Sequence, residues 1–426
     1  MLDIKLIRQD PDMVKAALAR RGEEAAIGEV LAIDERRRLL ITEVEELKSR
    51  QNAASQEIGR IKKEKGDASA ILAEMKEVSE NIKVLDAKLK EVEAQLEEHL
   101  LDLPNLPHES VPDGKDEHEN QEIERWREPH VFAFEPRPHW DLGVELDILD
   151  FERGAKLAGS GFPLYKGAGA RLERALISFM LDLHTTQHGY EETWTPYLAR
   201  PDIMYGTGKL PKFKDDMYYV EADDLYLNPT AEVPITCIHA GEIMPPGMLP
   251  KKITGYCASF RREAGAAGKD TRGLIRLHQF DKVELVQLTE PEKSYDAFYE
   301  MLNHARKVLE LLEIPFRVLD CCAGDIGHAA TKMYDLEAWA PGLDKWLEVS
   351  SISNCTDYQA RRANIRFRRD AGAKPEFVHT LNGSGIALPR TVIAILENNQ
   401  QEDGSVRIPK ALIPYMGGME KIEKPG

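Results

Sequence analysis

The sequence predicts an α+β protein that joins a long antiparallel coiled-coil hairpin to an antiparallel sheet with helices packed on it. The first supporting observation is a heptad-like spacing of apolar residues over about residues 27–100. The second is a mixture of strand and helix patterns beyond residue 103, without the regular alternation of a parallel sheet. The third is a pair of segments between Thr254 and Gln287 in which apolar and polar residues alternate, which predicts an antiparallel hairpin with a long loop.

Composition limits the class of protein. The chain has 426 residues, of which 30% are charged, and a net charge of -17. So acidic a chain does not bind nucleic acid over its whole surface, and any such contact needs a local basic patch. Five cysteines are few and odd in number, which indicates reduced thiols. Because the sequence has no apolar run of membrane-spanning length and no signal core at its N-terminus, we expect a cytoplasmic protein without a membrane partner.

The first 22 residues predict one short helix. Asp10 is suited to be its N-cap, Pro11 fits the first helical position, and Gly22 ends the pattern. Two long helices follow, with a turn around Gly66, and together they form the coiled-coil hairpin.

The hairpin carries an uneven charge. The span from Arg36 to Lys65 contains nine basic and five acidic residues, a net charge of +4. This makes it a candidate RNA-facing edge, although a solvated coiled-coil flank would have a similar composition. We expect a domain boundary near residue 103, where a segment rich in proline and acidic residues begins.

The alternating segments at 254–287 combine residues that suit a nucleotide. Arg261 and Glu263 share one face of the first predicted strand, and Phe280 and Glu284 share one face of the second. An arginine fork can bind two phosphate oxygens, an aromatic ring can stack on a purine, and a carboxylate can accept from an amine. A solvated charged face is the alternative. Four apolar residues are predicted to point the opposite way, toward a core: Ile275, Leu277, Val283 and Leu285.

The pattern F-R-x-E, a loop, then R-x-x-x-F resembles motif 2 of class II aminoacyl-tRNA synthetases. The sequence of this segment, FRREAGAAGKDTRGLIRLHQFDKVELV, is similar to that of the seryl-tRNA synthetases. The amphipathic helix predicted at 166–188 resembles motif 1, which builds the dimer interface of class II enzymes; a core helix is the alternative. The segment HTLNGSG at 379–385, read as a strand and a glycine turn before a helix, resembles motif 3.

Two shorter segments resemble the substrate loops of the same family. Thr230-Ala231-Glu232 resembles its amino-acid loop, although a helix N-cap is the commoner meaning of Thr-x-Glu. The strand WLEVSS resembles the segment that holds Mg²⁺ on ATP through Glu348 and Ser351. These two residues are three apart and would face opposite sides of a regular strand. Either the strand ends or bulges there, or Ser351 is not a ligand.

The resemblance implies a role for each of these residues. Arg261 and Arg390 would be catalytic, and Glu348 and Ser351 would hold the metal. Serine would be bound by Thr230, Ala231, Glu232, Arg261, Glu284, Asn382 and Ser384. ATP would be bound by Arg261, Arg262, Glu263, Leu277, Phe280, Glu348, Val349, Ser350, Ser351 and Arg390.

The resemblance also implies the reaction and the partners. L-Serine would be activated by ATP with Mg²⁺ to seryl-adenylate and then transferred to tRNA(Ser), with tRNA(Sec) as a further substrate. Residues 1–103 would form the tRNA-binding domain with its arm at about 27–100. Residues 104–426 would form the catalytic domain of a homodimer.

Two other classes of protein share the expected fold. One is a relative that loads a carrier protein, and the basic, uninterrupted arm argues against it. The other is a catalytically dead binding protein, and the intact set of Arg261, Glu263, Phe280, Glu348 and Arg390 argues against that.

Overall fold

The computed structural model describes residues 1–265 and 271–425. The chain divides into two compact units. One comprises Leu2–Ala19 and Glu23–Pro104, and the other comprises Met1, Arg20–Gly22 and the chain from Asn105 onward. Residues 266–270, in the middle of the predicted hairpin loop, lie outside the described residues.

The first unit is helical. Its helices are α1 (Ile4–Gln9), α2 (Pro11–Arg20), α3 (Ile27–Lys63) and α4 (Ser69–Asp102). The long pair confirms the predicted coiled-coil hairpin, with Val44, Val78 and Ile82 among its buried residues. The helix predicted to follow Asp10 is α2, whereas α1, which precedes Asp10, was not predicted. The Asp10 side chain accepts from the main-chain N–H of Met13 at 3.0 Å, so it begins the second helix as predicted.

Three basic residues of α3 form ion pairs with α4: Arg37, Lys48 and Arg50. Arg37 contacts Glu93 at 3.3 Å, and Lys48 contacts Asp86 at 3.2 Å. Such exposed pairs contribute little stability, but they reduce the positive charge that the hairpin presents. Three lysines at the turn are exposed: Lys62, Lys63 and Lys65.

The second unit is built on an eight-stranded sheet. Its strands are β1 (Gln121–Trp126), β2 (Glu191–Glu192), β3 (Lys251–Phe260), β4 (Gln279–Thr289), β5 (Phe316–Asp320), β6 (Lys332–Ala340), β7 (Lys345–Asn354) and β8 (His379–Ala387). Their order across the sheet is β1-β5-β6-β7-β8-β4-β3-β2, and all neighbours are antiparallel except β2 and β3. The prediction of an antiparallel sheet is confirmed.

Helices and short strands surround this sheet. The helices are α5 (His139–Glu145), α6 (Phe151–Ala158), α7 (Ala168–Thr186), α8 (Pro201–Gly206), α9 (Glu232–Thr236), α10 (Ser294–Leu311), α11 (Tyr358–Ala363) and α12 (Leu388–Asn398). The short strands are Leu149–Asp150, Leu164–Tyr165, Leu198–Ala199, Tyr219–Val220, Leu225–Leu227, Ile243–Met244, Arg366–Phe367, Glu376–Phe377, Val406–Arg407 and Lys421–Ile422. Within the described chain, no helix combines the length and apolar character needed to cross a membrane.

Helix α7 buries its apolar stripe within its own chain. Leu172, Leu176 and Met180 are fully buried in the core beneath the sheet. The stripe seen in the sequence is therefore a core stripe, and any interface on this helix uses its other face. That other face, with Ile177 and Leu181, borders a cavity of about 550 Å³ together with Trp194.

The predicted hairpin is real but shorter than the alternation suggested. β3 ends at Phe260 and β4 begins at Gln279, so Arg261, Glu263 and Leu277 lie outside the strands. The sequence assigned these three residues to faces of a strand, but side chains alternate between two faces only within a strand, so the assignment fails for them. Within β4 the prediction is correct, because the two residues there that were predicted to face a core, Val283 and Leu285, are fully buried.

All five cysteines are buried and none forms a disulfide, as reduced thiols predict: Cys237, Cys257, Cys321, Cys322 and Cys355. Burial raises the pKa of each thiol, to about 12 for Cys237 and Cys257. A raised pKa keeps a cysteine in its unreactive protonated form.

Candidate active site

A cavity of about 360 Å³ lies over the sheet where β3, β4, β7 and β8 meet. Most of the residues predicted from sequence line it. They are Thr230, Glu232, Arg261, Glu263, Leu277, Phe280, Glu284, Glu348, Val349, Ser351, Asn382, Ser384 and Arg390. Residues more than 150 positions apart thus converge because the strands that carry them are neighbours in the sheet.

One end of the cavity is basic and aromatic. The guanidinium of Arg261 lies over the ring of Phe280, 5.1 Å from its centre, and its Nε donates to the carbonyl oxygen of Pro229 at 3.3 Å. This cation–π contact holds the guanidinium beside an aromatic face. Together the two groups match the phosphates and base of a nucleotide.

Arg390 approaches the same end from α12. Its Nη1 donates to the carbonyl oxygen of Glu348 at 2.7 Å, and its Nε donates to that of Ile275 at 3.2 Å. The guanidinium thus bridges β7 and the loop before β4. Its position in the first turn of α12 adds the anion-favouring field of a helix N-terminus.

Glu263 occupies a special backbone conformation. Its φ is +52°, in the left-handed region, and its carboxylate forms an ion pair with Arg276. The turn after β3 therefore aims Glu263 back into the cavity, and Arg276 sets the orientation of its carboxylate. Arg276 lines the cavity as well, although the sequence analysis gave it no role.

The other end of the cavity is acidic and buried. Glu284 is 1% exposed, and Thr230 Oγ1 donates to its Oε2 at 3.2 Å. Glu232 is 7% exposed, and Gln359 Nε2 donates to its Oε1 at 2.8 Å. Thr230 also accepts from the main-chain N–H of Glu232 at 3.2 Å, so it organises the start of α9 as well as Glu284.

The two carboxylates have different electrostatics. Burial raises the pKa of Glu284 above its usual value, despite the lowering influence of Lys282. Burial also opposes ionisation of Glu232, but Lys209, Lys282 and Gln359 together lower the pKa of Glu232 below its usual value. Glu232 therefore ionises more readily than Glu284, and an ionised carboxylate suits an ammonium partner.

A bulge in β7 settles the difficulty posed by Glu348 and Ser351. Glu348 pairs with Glu337 and Ser350 pairs with Leu336, so β7 has one extra residue, Val349, at this point. The extra residue restores Glu348 and Ser351 to the same side, and both line the cavity. The structure thus has the bulge that the sequence allowed, and a magnesium-binding role for Ser351 stays a prediction.

The predicted glycine turn before α12 is wrong. Gly383 and Gly385 lie inside β8, which runs to Ala387. Crowding explains these glycines: a Cβ on Gly383 would lie 3.1 Å from Ile352, and one on Gly385 would lie 2.7 Å from His184 Nε2. His184 Nε2 donates to the carbonyl oxygen of Gly385 at 3.0 Å.

Three predicted residues do not line the cavity. Ala231 is fully buried in an apolar cluster, Arg262 donates to the carbonyl oxygen of Asp215, and Ser350 Oγ donates to that of Ser384 at 2.6 Å. Ser350 thereby fixes β7 against β8. Conversely, the sequence analysis overlooked two lysines that line the cavity, Lys209 and Lys282. The spacing of Lys282 and Glu284, two residues apart on one strand, was the available signal.

A second acidic group lies close to Ser351. The ligand atoms of Cys321, Asp325 and Asp335 all lie within 4.8 Å of one another. Burial, and then the nearby Glu348, raises the pKa of Asp335 well above its usual value.

Two family models match the chain. Residues 1–107 match the seryl-tRNA synthetase N-terminal domain, and residues 213–399 match the tRNA synthetase class II core domain (G, H, P, S and T). The second range contains every residue predicted for the site.

Full-length relatives share both parts. The serine–tRNA ligase of Moorella thermoacetica is 61% identical over 423 residues, 99% of each chain. That of Listeria welshimeri is 56% identical over 426 residues, the whole of both chains. The crystal structure of seryl-tRNA synthetase from Pyrococcus horikoshii, complexed with ATP, superposes with a TM-score of 0.93 at 40% identity over all of both chains. The Naegleria fowleri enzyme, in complex with AMP, gives 0.87 at 31% identity over 100% of this chain and 99% of that one.

Proposed function

Because the chain belongs to the seryl-tRNA synthetase family, whose members charge tRNA with serine, we propose that it acts through a seryl-adenylate formed in the cavity of Arg261 and Glu284. The observation that carries this is one cavity that holds Arg261 and Phe280 together with two buried carboxylates, Glu232 and Glu284. ATP and an amino acid need these two environments side by side.

Each end serves one substrate. Glu232, an anion held by Lys209, accepts from the α-ammonium of serine, and Glu284 accepts from its hydroxyl. Arg261 pairs with phosphate, Phe280 stacks on adenine, and Glu263 accepts from the adenine amino group. Asn382 and Ser384 line the same cavity and complete the serine end.

The first step forms one bond and breaks one. The α-carboxylate of serine attacks the α-phosphorus of ATP, and the electron pair of the broken P–O bond leaves with pyrophosphate. Arg261 and Arg390 counter the charge that builds on the phosphate oxygens, so catalysis rests on positioning and electrostatic stabilisation. A ribose hydroxyl at the tRNA end then attacks the seryl carbonyl, and AMP leaves.

Residues at the rim fit Mg²⁺. The Glu348 carboxylate and the Ser351 hydroxyl are hard oxygen donors, and the bulge at Val349 brings both to the cavity. The Glu348 side chain is 48% exposed, so it is accessible to an ion that arrives with ATP. When bound, Mg²⁺ would neutralise phosphate charge. Glu348 would orient it, and Arg390 would hold the strand that carries Glu348.

The partners follow from the same proposal. The arm, α3 and α4, contacts tRNA(Ser), and tRNA(Sec) is a second acceptor. A second copy of the chain covers α7. The deciding experiment is ATP–pyrophosphate exchange with each amino acid in turn, followed by charging of purified tRNA(Ser) and tRNA(Sec). Serine-specific, Mg²⁺-dependent exchange is expected, and exchange with another amino acid but not with serine would refute the assignment.

A further inference from the structure

Two lysines lie beside the two carboxylates at the serine end of the cavity. Lys282 Nζ lies 2.6 Å from Oε2 of Glu284, and Lys209 Nζ lies 2.8 Å from Oε2 of Glu232. The side chain of Lys282 is 10% exposed and that of Glu284 is 2% exposed. A buried charge is costly unless it is paired, so each lysine offsets the burial of one carboxylate.

The protein contacts of the Glu284 carboxylate fall on one of its two oxygens. Lys282 and Glu284 lie two residues apart on β4, so they share the cavity face of the strand. Among the hydrogen bonds and ion pairs of the described residues, the two that reach this carboxylate both fall on Oε2, from Lys282 and from Thr230. Oε1 is therefore left as an acceptor, and an ionised carboxylate can only accept.

We propose that Lys282 is a specificity-determining positioning residue, which holds Glu284 ionised through Oε2 so that Oε1 accepts the hydroxyl proton of serine. Lys282 acts through Glu284 and does not touch the substrate. This inference rests on the proposed function and extends it. Alanine would leave Oε1 unpaired in a buried site, which is the strongest way for a site to reject a substrate that lacks a hydroxyl.

The charged and titratable groups around Glu284 make its pKa depend on Lys282. Burial raises the pKa of Glu284, and Glu232 on α9 raises it further. Lys282 on β4 and Lys209, after α8, act in the opposite direction, and Cys257 faces the same region from β3. Loss of Lys282 would raise the pKa of Glu284 further and so favour its protonated form.

The experiment compares serine with alanine. ATP–pyrophosphate exchange is measured with both amino acids from pH 6.5 to 8.5, for wild type, Lys282→Met and Lys282→Arg. The α-ammonium and α-carboxylate titrate alike in the two substrates, so the ratio of their kcat/KM values isolates Glu284. In Lys282→Met we expect the ratio to fall by roughly tenfold to a hundredfold at pH 7. It should recover as pH rises, because the ionised fraction of Glu284 grows; Lys282→Arg should retain the ratio.

Lys209→Met is the matched control. It removes the other lysine that pairs with a carboxylate of the cavity, but its partner Glu232 faces the α-ammonium that both amino acids share. Exchange with serine and with alanine should therefore fall together, and the ratio should change much less than in Lys282→Met, because Lys209 has a smaller influence on Glu284 than Lys282 has. An unchanged ratio in Lys282→Met, or parallel losses with both amino acids there, would overturn the inference.

Wild type supplies an independent test if Lys282→Met does not fold. Its ratio should be flat across the pH range, and a rise with pH would show that Glu284 titrates with Lys282 in place, which also overturns the inference. If wild type shows no exchange with serine, the proposed function itself fails. If it exchanges with serine and only the Lys282 results are negative, the inference fails alone.

Discussion

The guanidinium of Arg261 lies 5.1 Å from the centre of the Phe280 ring, so the two residues that match ATP in this cavity also hold each other. Arg261 follows β3 and Phe280 lies near the start of β4. The contact spans the open end of the hairpin and fixes the guanidinium before any ligand binds.

Arg261→Ala should lower the rate of serine-dependent pyrophosphate exchange about 10²-fold to 10³-fold, as removal of one charge-stabilising donor does elsewhere. Arg262→Ala is the control. Its guanidinium donates to the carbonyl oxygen of Asp215 outside the cavity lining, so its loss should have a much smaller effect. If both variants lost the same fraction of the exchange rate, Arg261 would have no special role in the reaction. The measurement is exchange at saturating ATP and serine.

Glu348→Gln and Ser351→Ala should raise the Mg²⁺ concentration needed for half-maximal exchange. Glu348→Gln should have the larger effect, because it removes a charged ligand. Ser353→Ala is a suitable control, since Ser353 lines the cavity but is not a proposed ligand. The prediction fails if Mg²⁺ titrations of the Glu348 variant and wild type coincide. Chelation of Mg²⁺ should abolish exchange in all of them.

The arm and the catalytic unit should separate in function. Removing residues 27–100 and bridging the ends with a short linker should preserve pyrophosphate exchange, because every predicted site residue lies beyond residue 200. Transfer to tRNA should collapse. Armless protein that charges tRNA(Ser) as well as the full chain would show that the hairpin is purely structural.

Within the full-length chain, the exposed turn offers a finer test. Changing Lys62, Lys63 and Lys65 to glutamate should weaken tRNA binding and reduce its salt dependence, by about one unit of slope per lost phosphate contact. Arg37→Glu is a useful comparison, because Arg37 already pairs with Glu93 and Asp34. Reversing the charge of Arg37 should lower the stability of the hairpin more than it changes the salt dependence of tRNA binding.

A histidine cluster should make stability depend on pH. His184 contacts His188 at 2.9 Å, and His188 stacks on His304 with ring centres 4.1 Å apart. Burial lowers the pKa of His184 to about 3 and that of His304 to about 4. Below pH 6.5 the unfolded chain therefore binds protons that the folded chain does not, and stability falls as pH falls.

The expected loss is about 1.4 kcal/mol per pH unit for each such histidine between pH 6.5 and 4.5. Thermal melts over this range should show a shallower dependence on pH for His304→Gln. His118→Gln should match wild type, since His118 is exposed. A slope that is unchanged in His304→Gln would exclude this residue as a source of the dependence.

Trp194 should lie in the interface between two copies of the chain. It is 79% exposed and borders the cavity beside the outer face of α7. Together with Ile177 and Leu181 it contributes to an apolar surface, and contiguous apolar patches of this kind mark interaction surfaces. Trp194→Glu should shift sedimentation from dimer toward monomer, whereas Leu39→Glu, an equally drastic change on the arm, should not. A wild-type chain that is monomeric at micromolar concentration would contradict the prediction.

The sequence predicted the parts of the site that depend on periodicity. The faces of Phe280, Glu284 and Val283 follow from alternation along one strand, and the structure agrees. Arg261 and Leu277 were placed on strands but lie in irregular segments, whose geometry depends on main-chain hydrogen bonds that a pattern does not encode. Their presence in the cavity was predicted by the family resemblance and not by alternation.

Other features depended on contacts between distant parts of the chain. Glycine at position 385 was read as a turn, but it is required because His184, 201 residues away, crowds that point. The bulge at Val349 is set by the register between β7 and β6. Lys209 was overlooked because its partner Glu232 lies on another element, and a single lysine carries no local signal.

The burial of all five cysteines makes the natural chain a convenient background for chemical labelling. Their thiols combine restricted access with raised pKa values, so a maleimide reagent at neutral pH would find no competing target among them. A cysteine introduced at Lys65, in the exposed turn of the arm, would then be the preferred site of attachment. A fluorophore there would report the approach of tRNA in real time, without prior removal of any native cysteine.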